Sequence, residues 1–99
     1  MGRRVAIGYL RRDVSGSRQP WDEARIRSCA KILGFDLAKI VVFSERTQDR
    51  DRRLCNVVTA IGATAVVAPN LGHFDGAEIP SALLKLATVT FGDDHPALK

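Results

Sequence analysis

Apolar positions fall into two kinds of pattern along this chain: short runs, and longer stretches with helical spacing. Residues 5–10, 37–43, 64–68 and 87–91 are the short runs, continuous or nearly so and rich in valine, isoleucine and threonine; all four read as strands, the first and third as buried ones. Between the first two, Trp21, Ala24 or Arg25, Ile26, Cys29, Ala30 and Leu33 recur mostly at three- and four-residue steps. That spacing predicts a helix with one apolar face, on which Trp21 is a core anchor or, if partly exposed, an interface residue. Pro20 opens this helix, Asp22 and Glu23 sit where the helix dipole favours anions, and Gly34 closes it. Leu54, Val57, Val58 and Ile61 predict a second helix over 52–61, capped by Gly62. Pro80 begins a short third helix to about Leu86, with Leu83, Leu84 and Leu86 apolar. The polar stretches 11–19, 44–51 and 69–78 are expected as loops.

Strands alternating with helices at this spacing predict an α/β three-layer sandwich. Its four-stranded, mostly parallel sheet has order 2-1-3-4, because right-handed crossovers leave that as the natural path, with helices on both faces. One domain spans 1–92, followed by a polar tail over 93–99. At 99 residues the chain can bury roughly 60–65% of its unfolded surface, enough for one core.

Composition narrows the class only slightly. No apolar run approaches the ~20 residues needed to cross a bilayer, and the apolar stretch after Arg3 and Arg4 is cut short by Arg11 and Arg12. A cytoplasmic protein with no membrane partner is the expectation. Cys29 and Cys55 both fall in helical patterns, so free buried thiols are expected rather than a disulfide. Charge is unevenly placed: residues 1–53 hold 13 Lys/Arg against 7 Asp/Glu (+6), and residues 54–99 hold 2 against 4 (−2). A basic N-terminal half can meet nucleic acid or an acidic protein, or simply be a solvated surface with interspersed acids. Arg11, Arg12, Arg18, Arg50, Arg52 and Arg53 are the candidate anion or nucleic-acid contacts.

In an open α/β sheet, ligands gather at the carboxyl ends of the strands. The first strand here runs directly into Arg11, Asp13, Ser15, Ser17 and Arg18. Ser15 is a candidate nucleophile or a plain loop residue beside Gly16, and Arg11 an anion-binding group or a partner for Asp13. His73, in a loop after the third strand, is a candidate ligand or acid/base residue or else a structural or exposed loop histidine, whereas His95 in the tail carries no expected role. There is no Gly-rich phosphate loop of the Walker kind, no Gly-x-Gly-x-x-Gly and no metal-ligand spacing, so no cofactor and no metal are expected.

Taken in order, these residues resemble the N-terminal catalytic domain of the serine recombinases, the resolvase and invertase family. Tyr9-Leu10-Arg11 is similar to the Tyr-x-Arg ending that family's first strand, and Ser15 with Gln19 to its Ser-x-x-x-Gln. Asp51-Arg52-Arg53-Leu54 resembles its Asp-Arg-x-x-Leu, and residues 66–73 its third strand and following loop. The resemblance implies a resolvase-like fold over 4–92 and a site drawn from Ser15, Arg11, Arg52 and His73. In that family the serine attacks a DNA phosphodiester with the help of clustered arginines, which answer the charge building up on phosphoryl oxygens.

The departures weigh more. Asp13 stands where the family has its serine, and Pro69, Asn70 and His73 stand where it has an acid and two arginines. No residues remain for the family's long dimerisation helix and DNA-binding domain, so specific DNA targeting by this chain alone is not expected. The first expectation is therefore a degenerate, catalytically inactive relative that acts in regulation or by protein interaction, self-association included. The alternatives are an active DNA strand-exchange subunit using Ser15 with Arg11, Arg18 and Arg52 as phosphate clamps, and a non-enzymatic anion or nucleic-acid binder.

Overall fold

The computed structural model describes residues 4–92; the tail expected over 93–99, with His95, lies outside them. Chain order is β1 (Val5–Arg11), α1 (Arg12–Ser15), a 3-10 turn (Gly16–Arg18), α2 (Gln19–Ile32), β2 (Asp36–Phe43), α3 (Arg50–Ile61) and β3 (Ala65–Ala68). Two 3-10 turns (Leu71–His73, Asp75–Ala77), α4 (Ser81–Leu84) and β4 (Thr88–Phe91) complete it. All strand pairs are parallel, and the sheet order is β2-β1-β3-β4. The predicted fold class and strand order are the observed ones.

The path from β1 to β2 runs one way along the sheet and the return to β3 runs the other. Crossovers of one hand then place α2 and α3 on opposite faces. The core divides accordingly. Ala6, Leu10, Ala65 and Val67 pack with Ile26, Cys29 and Ala30 of α2. Ile7, Tyr9, Val66 and Ala68 pack with Leu54 and Val58 of α3 and Leu83 of α4. The alternation along β1 follows from side chains pointing to opposite faces at successive positions.

Gly8 faces α2, and a Cβ built there would lie 2.6 Å from Ile26 Cγ2 and 3.0 Å from Ile40 Cγ1. The missing side chain is what lets α2 settle onto the centre of the sheet. Gly62 ends α3 at φ 74°, a left-handed cap whose N–H donates to the carbonyls of Val58 and Thr59, as the sequence predicts.

Three expectations are corrected. The stretch 11–19 is not an open loop: β1 ends at Arg11, and 12–18 coil through α1 and the 3-10 turn directly into α2. Trp21 is not a core anchor but 72% exposed. The buried stripe of α2 is Asp22, Ile26, Cys29 and Ala30, from which Trp21 is rotated by about 140° relative to Ile26 at 3.6 residues per turn. In α4, shorter than the 80–86 expected, only Leu83 turns inward; Leu84 is exposed, as is Leu86 just beyond the helix. Both cysteines are free, Cys29 buried and Cys55 half-buried, and burial pushes both thiols up from their ordinary pKa. No helix among the described residues is long and apolar enough to cross a membrane.

Candidate functional site

The strand order reverses direction between β1 and β3, and the polar side chains collect outside the carboxyl ends of these two strands, as expected for an open α/β sheet. Beneath them lies an aromatic layer. The Tyr9 ring packs at 5.7 Å from Phe43 and 5.0 Å from Phe74, and Phe74 at 6.4 Å from Phe91. The Tyr9 hydroxyl emerges from that layer to donate to the His73 carbonyl at 2.6 Å. Burial pushes the Tyr9 phenol up to about 12, against the opposing pull of the Arg11 charge.

His73 is buried, with only 1% of its surface exposed. Its Nδ1 accepts the backbone N–H of Arg11 at 2.9 Å, which places its ring proton, in the neutral form, on Nε2. Two hydrogen bonds thus sew the turn after β3 to the end of β1. Asn70 shapes that turn by accepting from the Gly72 N–H at 2.9 Å.

Ser15 is also buried. Its hydroxyl donates to Asp22 Oδ2 at 2.6 Å, and Asp22 is itself 6% exposed. Both line a small cleft of about 110 Å³ with Val14, Arg18, Asn70 and His73. Ser15 and His73, two sequence candidates, therefore share one cleft, and Arg18 lies on its wall.

Arg11 faces a different set of groups. Its Nε and Nη2 donate to the two carboxylate oxygens of Asp13 at 3.1 and 2.6 Å, and its Nη1 to Asp75 Oδ1 at 3.0 Å. Of the two roles open to Arg11, the structure shows the ion pair with Asp13. Burial pushes the Asp13 carboxyl up, but the hydrogen bond and charge of Arg11 win and hold it below the usual range. The same Asp75 oxygen takes a second bond from Arg50 Nη2 at 2.7 Å. Arg50 Nη1 donates to the carbonyls of Ser44, Glu45 and Thr47 at 3.0–3.3 Å, folding the β2–α3 connection around its guanidinium. Its Nε is buried without an acceptor. The bond to Asp75 raises the Arg50 pKa further, against a smaller opposing effect of burial.

Arg52 is not in this cluster. Its guanidinium is exposed and pairs with Asp49 at 2.9 Å, one helical turn before it and across a different depression from the Ser15 cleft. Arg50, two residues earlier, is the α3 arginine that reaches Arg11 through Asp75. Arg12, Arg18 and Arg53 are exposed. Asp22 and Asp75 are the site residues missed by sequence reasoning. Asp22 had a signal: it precedes Ile26 by four residues and Cys29 by seven, so it belongs to the buried stripe and needs a donor. Asp75 had none, since it is brought to Arg11 and Arg50 from 64 and 25 residues away.

Among the described residues no three His, Cys, Asp or Glu side chains are grouped so as to hold a metal ion. Chemically, the cluster offers a hydroxyl already bound to a carboxylate and two arginines already bound to carboxylates.

Since this is the chain's only tyrosine, its ionisation can be read directly from phenolate absorbance. The folded protein is expected to titrate near pH 12 rather than near the ordinary value of 10. The folded state holds this proton more tightly than the unfolded one, so stability from Tyr9 is complete below pH 10 and declines as pH rises towards 12. A phenolate appearing near pH 10 with the fold intact would contradict the buried bond to His73.

Compared with known proteins, the chain matches no family model, no curated protein and no solved structure.

Proposed function

We propose that this chain is a catalytically inactive, serine-recombinase-like domain that works by binding protein, whether a partner or itself. The observation that carries the reading is the internal neutralisation of Arg11 and Arg50, which leaves Arg18 as the one arginine lining the Ser15 cleft. Arg11 spends three donors on Asp13 and Asp75, and Arg50 spends its two terminal nitrogens on Asp75 and three carbonyls. Ser15 donates its hydroxyl hydrogen bond to the buried Asp22.

Asp22 is well placed to act as a base for Ser15, but a base does not hold a phosphate. An incoming phosphodiester at ~4 Å from a carboxylate meets repulsion of about 4 kcal/mol at an effective dielectric near 20. Each preorganised donor absent from the transferring group costs on the order of 10²–10³ in rate. A site with Arg11 and Arg50 committed elsewhere, a single arginine at its wall and a carboxylate on the nucleophile supports a retained scaffold better than a working nuclease.

The test is covalent trapping. The chain is incubated with supercoiled plasmid and with nicked duplex oligonucleotides, then resolved under denaturing conditions. No protein–DNA adduct and no relaxed plasmid are expected. An adduct that disappears in Ser15→Ala would overturn the proposal and restore the strand-exchange reading.

A further inference from the structure

Two exposed features lie on opposite sides of the sheet and meet the strand-end residues only at Arg18 and Asp75. The first is Trp21, 72% exposed and the chain's only tryptophan. It projects from α2, whose other side is buried against Ala6, Leu10, Ala65 and Val67. One turn before it stands Arg18, exposed and without an ion pair among the described residues.

The second feature is an open groove of about 610 Å³ beside α3 and α4, on the opposite face of the sheet. Leu71, Ile79, Pro80 and Leu84 supply apolar lining, with Leu71 39% and Leu84 54% exposed. Asp51, Asp75 and Glu78 also line it. Asp75 is committed to Arg11 and Arg50, but Asp51 and Glu78 make no ion pair among the described residues. Partial burial and the neighbouring Asp75 charge raise the Asp51 pKa, so a cation arriving from outside would be favourable there.

The two features complement each other in shape and in charge. A flat aromatic side chain with an unpaired arginine one turn away matches an apolar groove with unpaired acids. An indole buries about 150–250 Å² when it is fully covered, and Trp and Arg are the residue types that most often anchor interfaces. The two surfaces cannot meet within one chain, because the sheet and its helices stand between them.

We propose that this chain self-associates head to tail, Trp21 of one copy entering the groove between Leu71 and Leu84 of the next. Arg18 then faces Asp51 and Glu78 across the contact. This rests on the protein-binding reading above and names the partner as a second copy. Such a contact is heterologous, so each added copy leaves one free indole and one free groove, and assembly continues unless its rotation closes a ring.

Sedimentation velocity across a concentration series, at low and high salt, tests it. The wild-type chain is expected to grow in mean mass with concentration, less so at high salt, with a blue shift of Trp21 emission. Trp21→Ser and Leu84→Glu should each weaken association at least about tenfold, with unchanged circular dichroism because both side chains are exposed. Leu71→Glu serves as a second groove variant should Leu84→Glu disturb the short α4. Mixing Trp21→Ser with Leu84→Glu is the decisive arm. One variant keeps the groove and the other the indole, so the mixture should form a 1:1 pair that grows no further. A wild-type chain that stays monomeric at every concentration overturns the proposal. So does wild-type association without pairing of the two variants, which would mean a symmetric interface or another occupant of the groove. Neither result touches the trapping experiment, which alone decides the catalytic question.

Discussion

Ile26→Ala is expected to destabilise the fold by about 2–5 kcal/mol and Gly8→Ala by about 1–3 kcal/mol, yet the two together should cost clearly less than their sum. Ile26 is fully buried at the centre of the α2 layer, so truncating it removes contacts and leaves a cavity. Adding a methyl at Gly8 does the opposite: it drives a Cβ to 2.6 Å from Ile26 Cγ2. In the double variant the alanine at 8 enters space that Cγ2 vacated. Urea denaturation of the four proteins measures the coupling. Additivity within about 0.5 kcal/mol would mean that the two sites do not share the contact.

The second large effect is expected at His73, where alanine should lower stability by about 2–4 kcal/mol. The imidazole fills a buried position and accepts the Arg11 N–H through Nδ1. Removing it leaves both a void and a backbone donor without its acceptor. Tyr9→Phe acts on the same turn by taking away the donor to the His73 carbonyl, at about 1–3 kcal/mol for a buried group left unpaired. The double variant should fall short of the sum, since either change already releases the turn after β3 from the end of β1. The measurement is again urea denaturation, and a His73→Ala protein within about 0.5 kcal/mol of wild type would show that this turn contributes little to holding the strand ends together.

Acid adds a check on the same region. Asp13 is held below the usual carboxylate range by its bonds to Arg11. Its contribution to stability is therefore present above its unfolded pKa and lost as pH falls through the lower folded value. Asp51 runs the other way, raised by burial and by Asp75, so protonating it on acidification favours the folded state.

Much of this architecture was legible before folding, and the reason is periodicity. Each strand is a short apolar or β-branched run, buried on both faces in the central β1 and β3 and half-open in the edge strands β2 and β4, and each main helix repeats its apolar positions at three- and four-residue steps. With α/β alternation and crossovers of one hand, few sheet orders remain. The misplaced elements are those whose conformation depends on what covers them. Residues 12–18 carry no apolar period, yet they coil because the end of β1 must turn directly into α2, and Ser15 finds a buried carboxylate there. Trp21 matched an apolar pattern by residue type, but its angular position on α2 put Asp22, and not the indole, against the sheet.

The chain's own pattern thus determined the strands, their order and the end of the sheet at which Ser15, Arg11 and His73 would gather. Only the tertiary structure decided what those groups do there. Hydrophobic periodicity is a local signal, readable within one helix or strand, whereas the pairing of charges depends on distances between segments far apart in sequence. Asp75 reaches Arg11 across 64 residues and Arg50 across 25, and that convergence neutralises the two arginines at the strand ends.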